Sequence, residues 1–162
     1  MTSRQVRTIV NGAAVERAVE PRRLLADFLR EDLGLYGTKV SCGVQVCGAC
    51  TVLLDGAPVS SCTFLAVDIE GSEVTTVEGL ADDGELSAVQ RAFVEESALQ
   101  CGFCTPGFVV AVTALLDESP DPPDEEVGED LEGNLCRCTG YVQILAAVRN
   151  AARAGRKELD HG

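Results

Sequence analysis

Cys42, Cys47, Cys50 and Cys62 constrain this chain more than any other residues. The first three stand in the segment Cys42-Gly43-Val44-Gln45-Val46-Cys47-Gly48-Ala49-Cys50, and Cys62 follows after a short interval. The pattern C-x4-C-x2-C…C is the ligand spacing of a plant-type [2Fe–2S] cluster. Three thiolates on one tight loop can face one side of a small inorganic core. A fourth, from a later element, closes the cage. Small residues between the ligands let backbone N–H groups approach the sulfurs and help set a reduction potential. Zinc more often takes its ligands as two short pairs, each on its own turn. The spacing favours iron–sulfur, and with it electron transfer.

The other four of the eight cysteines form a second set, Cys101-Gly102-Phe103-Cys104 and Cys136-Arg137-Cys138. C-x2-C with C-x-C suits zinc as well as an iron–sulfur cluster, so spacing alone leaves both open. The arithmetic is more telling. All eight cysteines fall into two quartets with none left over, as a two-cluster chain requires. An electron carrier on the same chain also gives a second cluster something to exchange electrons with.

Bulk properties narrow the class. The 162 residues suffice for one medium domain or two small ones. A net charge of −13 argues against a nucleic-acid partner. The first residues, Met1 to Arg7, lack the apolar core of a signal peptide, and no run approaches a membrane span. The expected compartment is the reducing cytoplasm, where eight cysteines point to metal rather than disulfides. There is no Gly-rich dinucleotide fingerprint and no P-loop. The sole histidine, His161, stands one residue from the end, so no Ser/His/Asp set is available. The chain reads as one subunit of a larger machine that does no substrate chemistry alone.

The first half reads as strands around one helix. Gln5–Val10 and Ala13–Val19 flank the hairpin signal Asn11-Gly12. Pro21 opens a helical pattern with Leu24, Leu25, Phe28 and Leu29 at helical spacing, and Gly34 is its stop. After the cysteine loop come strand 51–54, the turn Asp55-Gly56, Pro58-Val59 leading to Cys62, and strand 73–77. The second half reads as helices. One spans 86–98, with Leu86, Val89, Phe93 and Val94 on one face. The next opens at Thr105-Pro106 and is apolar nearly all round, as a buried helix is. A short helix, 124–131, is weakened by Gly128. The last runs 141–152, with Val142, Leu145, Ala146 and Val148 inward. Segment 117–130, rich in acid and proline, reads as a solvated connector. The fold class is α+β, a sheet-and-helix domain at 1–79 and a small helical bundle at 80–162.

Three segments resemble a known family. Gly37-Thr38-Lys39…Cys42-Gly43…Cys47-Gly48-Ala49-Cys50-Thr51-Val52 resembles the N-terminal cluster segment of the molybdenum hydroxylases. Gln100-Cys101-Gly102-Phe103-Cys104-Thr105-Pro106-Gly107 is similar to their second signature, and Gly133-Asn134-Leu135-Cys136-Arg137-Cys138-Thr139-Gly140-Tyr141 to their third. These motifs follow in order from residue 37 to 141. The family includes xanthine dehydrogenase, aldehyde oxidoreductase, carbon monoxide dehydrogenase and bacterial N-heterocycle hydroxylases.

The resemblance implies a small iron–sulfur subunit, with a ferredoxin-like β-grasp domain followed by a four-helix bundle. It implies two [2Fe–2S] clusters here, a molybdenum–pterin cofactor on a large partner subunit and FAD on a medium one, assembled as a dimer of heterotrimers. Cys101, Cys104, Cys136 and Cys138 would ligate the cluster nearer molybdenum, and Cys42, Cys47, Cys50 and Cys62 the cluster nearer flavin. Gln100 and Cys138 match positions whose atoms lie against the pterin. Arg137, between two ligands, is either solvated or a donor of charge-assisted hydrogen bonds. Three departures stand out: Ser41 where the family often has Gly, the bulkier Val44-Gln45-Val46, and Gly128. None removes a ligand. The competing class is a stand-alone two-cluster ferredoxin, which should be well covered alone. A bundle built to meet a pterin subunit should instead expose an apolar face. A zinc-stabilised interaction module is the third class.

Overall fold

Two hairpins and one short helix organise the first half. The structure is a computed structural model and describes residues 3–81 and 83–160, with side chains as far as 156. His161 lies outside the described residues. Strands β1 (Arg4–Val10) and β2 (Ala13–Val19) pair antiparallel from Arg4↔Val19 to Val10↔Ala13. Their turn takes positive φ at both Asn11 (51°) and Gly12 (75°), as a type I′ turn requires. The Asp55-Gly56 turn does the same between β3 (Thr51–Leu54) and β4 (Ala57–Ser60). β5 (Glu73–Thr75) lies between the hairpins, parallel to β1 and antiparallel to β3. The sheet order is β2-β1-β5-β3-β4, a mixed sheet within an α+β fold.

Val6, Val10, Val52 and Val74 from the strands bury against Leu25 of helix α1 (Leu25–Asp27) and against Phe28 and Leu29 of the wider turn that continues it over Phe28–Asp32. The helix does not open at Pro21. Leu24 is extended and bridges Leu65, so helical geometry begins one residue later. Strand β5 also stops short of Val77. The Asn11 side chain accepts the Thr76 N–H at 2.8 Å, and the backbone then turns as a 3-10 segment over Val77–Leu80.

The second half is helical. α2 (Ala88–Glu95) is closed by a reciprocal capping box between Ser87 and Gln90. α3 (Thr105–Glu118) carries Pro106 in its first turn, and α4 (Asp124–Asp130) and α5 (Val142–Asp160) follow. Their core gathers Val89, Phe93, Phe108, Val112, Ile144, Ala147, Val148 and Ala151. Two of the expected faces are rotated. Leu86 precedes the cap and is 45% exposed, and Val94 is 58% exposed, because α2 turns Val89, Ala92 and Phe93 inward. On α5 the inward stripe is Ile144, Ala147, Val148 and Ala151, spaced i, i+3, i+4, i+7. Val142 falls on the far side, 70% exposed.

The two halves are in contact. α3 packs against β3 and β4, and Gly107 of α3 faces the Gly48 backbone. A Cβ at Gly107 would lie 2.1 Å from the Gly48 carbonyl oxygen, so only glycine fits.

Candidate metal centres

The first quartet sits on the loop between α1 and β3, closed by the loop after β4. The loop backbone is shaped for sulfur. Gln45 takes φ 59° without being glycine, and the Val44 and Val46 N–H groups both reach Cys42 Sγ at 3.4 Å. These donors, Val44 first, lower the Cys42 thiol to about 6. Cys50 and Cys62 are buried with Ala26 beneath the loop. Burial pushes the Cys50 thiol up to about 11. The quartet thus combines an outer thiol whose charged form the backbone donors favour with an inner one whose charged form burial disfavours.

The second quartet is built the same way. Cys104 caps the N-terminus of α3, whose dipole favours a thiolate, but burial wins and raises this thiol to about 12. Cys136 opposes it. Burial pulls upward there too, yet hydrogen bonds from the Thr139 hydroxyl and from the Thr139 and Cys138 amides bring this thiol down to about 7. Cys138 is raised, chiefly by its hydrogen bond with Cys101. Cys101 and Cys138 are exposed, whereas Cys104 and Cys136 are half-buried.

The thiols meet in twos. Cys42 interacts with Cys47, and Cys50 with Cys62. Cys104 bonds Cys136, and Cys138 Sγ lies 3.7 Å from Cys101 Sγ. A structural zinc draws four ligands onto one point. A [2Fe–2S] cluster takes two thiolates on each of two irons, so its ligands come in pairs. The donor set fits two binuclear clusters better than two zinc ions. The buried side-chain oxygens without a partner among the described residues, Thr38 Oγ1 and Thr105 Oγ1, lie one in each cysteine segment.

Two contacts tie the quartets together, and sequence reasoning found neither. The Leu135 N–H donates to the Cys47 carbonyl at 3.0 Å, joining the residue before Cys136 to a member of the first quartet. Buried Asn134 donates to the Gly48 carbonyl at 3.2 Å. A Cβ at Gly48 would meet Asn134 and the Gly133 carbonyl at 2.5 Å. The signal was present in Gly48, Asn134 and Gly107, but pairing them needs the fold. Gln100, exposed, donates its amide to the Cys138 carbonyl at 3.2 Å and so joins the second motif to the third. Arg137 points to solvent. Leu99, Phe103, Leu135 and Val142, all close to the second quartet in sequence, are exposed.

Comparison with known proteins accords with this geometry. Residues 8–81 match the 2Fe-2S iron-sulfur cluster binding domain family, and residues 76–149 match the [2Fe-2S] binding domain family. The nicotinate dehydrogenase small FeS subunit of Eubacterium barkeri is 50% identical over 142 residues, covering 88% of this chain and 90% of that protein. Caffeine dehydrogenase subunit gamma of Pseudomonas sp. (strain CBB1) is 50% identical over 155 residues, 94% of this chain and 93% of that one. A chain in the crystal structure of quinoline 2-oxidoreductase from Pseudomonas putida 86 superposes with a TM-score of 0.93 at 46% identity, covering 97% of this chain and 98% of that one.

Proposed function

Because this chain belongs to the family of small iron–sulfur subunits of the molybdenum hydroxylases, we propose that it carries electrons from a molybdenum–pterin site on a large partner subunit to FAD on a medium one. In this reading Cys101, Cys104, Cys136 and Cys138 hold the cluster nearer the pterin. Cys42, Cys47, Cys50 and Cys62 hold the cluster nearer the flavin. Gln100 and Cys138 meet the pterin. The chain divides near Gly79 into a ferredoxin-like unit and a helical one, and the complex is a cytoplasmic dimer of heterotrimers.

When bound, each [2Fe–2S] cluster supplies a one-electron store at the potential its surroundings set. The rest is the work of this chain. Burial of Cys50 and Cys62 keeps water from one side of the first site. The Val44 and Val46 amides hold negative charge on Cys42, and the amides and hydroxyl beside Cys136 do so in the second site. The Leu135–Cys47 hydrogen bond fixes the two sites relative to each other. It also offers a short covalent and hydrogen-bonded connection between them.

The observation that carries the reading is the uneven cover of the second quartet. Cys104 and Cys136 are partly enclosed, while Cys101 and Cys138 lie open, and Leu99, Phe103, Leu135 and Val142, near them in sequence, are exposed. A self-sufficient carrier would cover that edge. Exposed apolar groups around a cofactor site mark a surface that another protein closes. The test is purification of the affinity-tagged chain from cells expressing the whole complex. The expected result is stoichiometric recovery of a molybdenum-containing subunit and a flavoprotein. Recovery of the chain alone, fully loaded with iron and exchanging electrons with soluble partners, would favour the ferredoxin reading.

A further inference from the structure

Among the described aromatic residues Tyr141 alone takes a positive φ, and its contacts fall on Cys136 and Thr139. Its φ is 70°, a region that bulky residues avoid. Such conformations persist where the surroundings enforce them, often at functional sites. Here three contacts do so. The Cys136 N–H donates to Tyr141 Oη at 2.9 Å. The Tyr141 N–H donates to Thr139 Oγ1 at 3.2 Å. The ring stands edge-on to Phe108 of the bundle core, centroids 6.2 Å apart.

This arrangement settles what the Thr139 hydroxyl does. A hydroxyl has one proton to give and can accept at its lone pairs. The Tyr141 amide occupies an accepting position, and Cys136 Sγ lies 3.2 Å from Thr139 Oγ1. The hydroxyl proton therefore points at the sulfur. Cys136 Sγ also receives the Thr139 and Cys138 amides, each at 3.4 Å.

We infer that Thr139, held in place by Tyr141, raises the reduction potential of the second cluster. The inference rests on Cys136 being a ligand of that cluster. Reduction by one electron adds negative charge that spreads onto the thiolate sulfurs. A donor aimed at one of them stabilises the reduced form more than the oxidised one. Thr139 is thus a positioning and tuning residue rather than a ligand.

Thr139→Val keeps the branched shape and removes the hydroxyl, while Thr139→Ser keeps the hydroxyl. The experiment is a redox titration of the assembled complex, following the paramagnetic signal of each cluster. The wild-type complex comes first: without two iron–sulfur signals, the ligand assignment itself fails. Given two signals, Thr139→Val should lower the midpoint of the second cluster. The reduced-to-oxidised ratio at the wild-type midpoint should fall about tenfold, or about 59 mV for a one-electron couple. The first cluster should not move, and Thr139→Ser should titrate as wild type. An unmoved second midpoint in Thr139→Val overturns the inference. So does an equal shift in Thr139→Ser. Loss of the second cluster in Thr139→Val but not in Thr139→Ser would assign the hydroxyl to cluster retention and overturn it as well.

Discussion

Gln100 shows how one side chain can be read in two ways. The proposed function sets Gln100, directly before Cys101, against the pterin, yet its amide N–H already bonds the Cys138 carbonyl at 3.2 Å. The two roles are compatible, because the bond engages one of two amide protons and leaves the carbonyl oxygen to accept. It also turns Gln100 into a brace between the second and third motifs. Gln100→Ala should therefore do two things. Loss of a partner at a cofactor edge that the assembly buries costs about 1–3 kcal/mol, which should appear as reduced molybdenum retention or slower reduction of the second cluster by substrate. Iron content should stay near wild type. Normal molybdenum per large subunit and a normal cluster-reduction rate would leave Gln100 with the brace alone. Much at this scale was legible in the cysteine spacing. The Cys136–Thr139–Tyr141 network was not, because it depends on a positive φ at a tyrosine, which no local pattern announces.

At the scale of elements, the hairpins were readable and the helix faces only in part: Val89, Phe93 and Val148 turn inward as their spacing predicts, but Leu86, Val94 and Val142 do not. Asn11-Gly12 and Asp55-Gly56 specify their turns through backbone chemistry that acts locally. Helix faces depend on what lies opposite. Val142 and Val94 are as apolar as their buried neighbours, and only the packing of α2 on α5 decides which side turns inward. The seam between halves is sharper still. Gly107→Ala places a methyl 2.1 Å from the Gly48 carbonyl oxygen, a backbone atom that cannot give way cheaply. We expect a loss of about 1–3 kcal/mol in chemical denaturation, as for overpacking elsewhere. The displacement should also disturb the Leu135–Cys47 and Asn134–Gly48 contacts, and with them the magnetic interaction between the clusters. Gly128 is the opposite case. Nothing lies within 4 Å of a Cβ built there, and α4 is otherwise uninterrupted. Gly128→Ala should stabilise the fold by about 0.4–1 kcal/mol, a gain visible as a higher denaturation midpoint without change in either cluster signal. A destabilised Gly128→Ala would mean that the Gly128 position makes close contacts in the assembled complex.

At the scale of the whole molecule, the two larger hydrophobic cores among the described residues, one in each half, are joined by close contacts at Gly48 and Gly107, with one thiol quartet in each half. That arrangement separates the sites while keeping a direct backbone link between them. Cys47→Ser should remove or alter the first cluster signal and leave the second, since each quartet draws its members from its own half. The central claim is that both quartets hold [2Fe–2S] clusters, and it is tested most directly by counting metal and signals on the same purified complex. About four irons per chain, negligible zinc, and two distinguishable paramagnetic signals on reduction are expected. About two irons with stoichiometric zinc and one signal would contradict it, because the second quartet would then be a structural zinc site with no part in electron transfer.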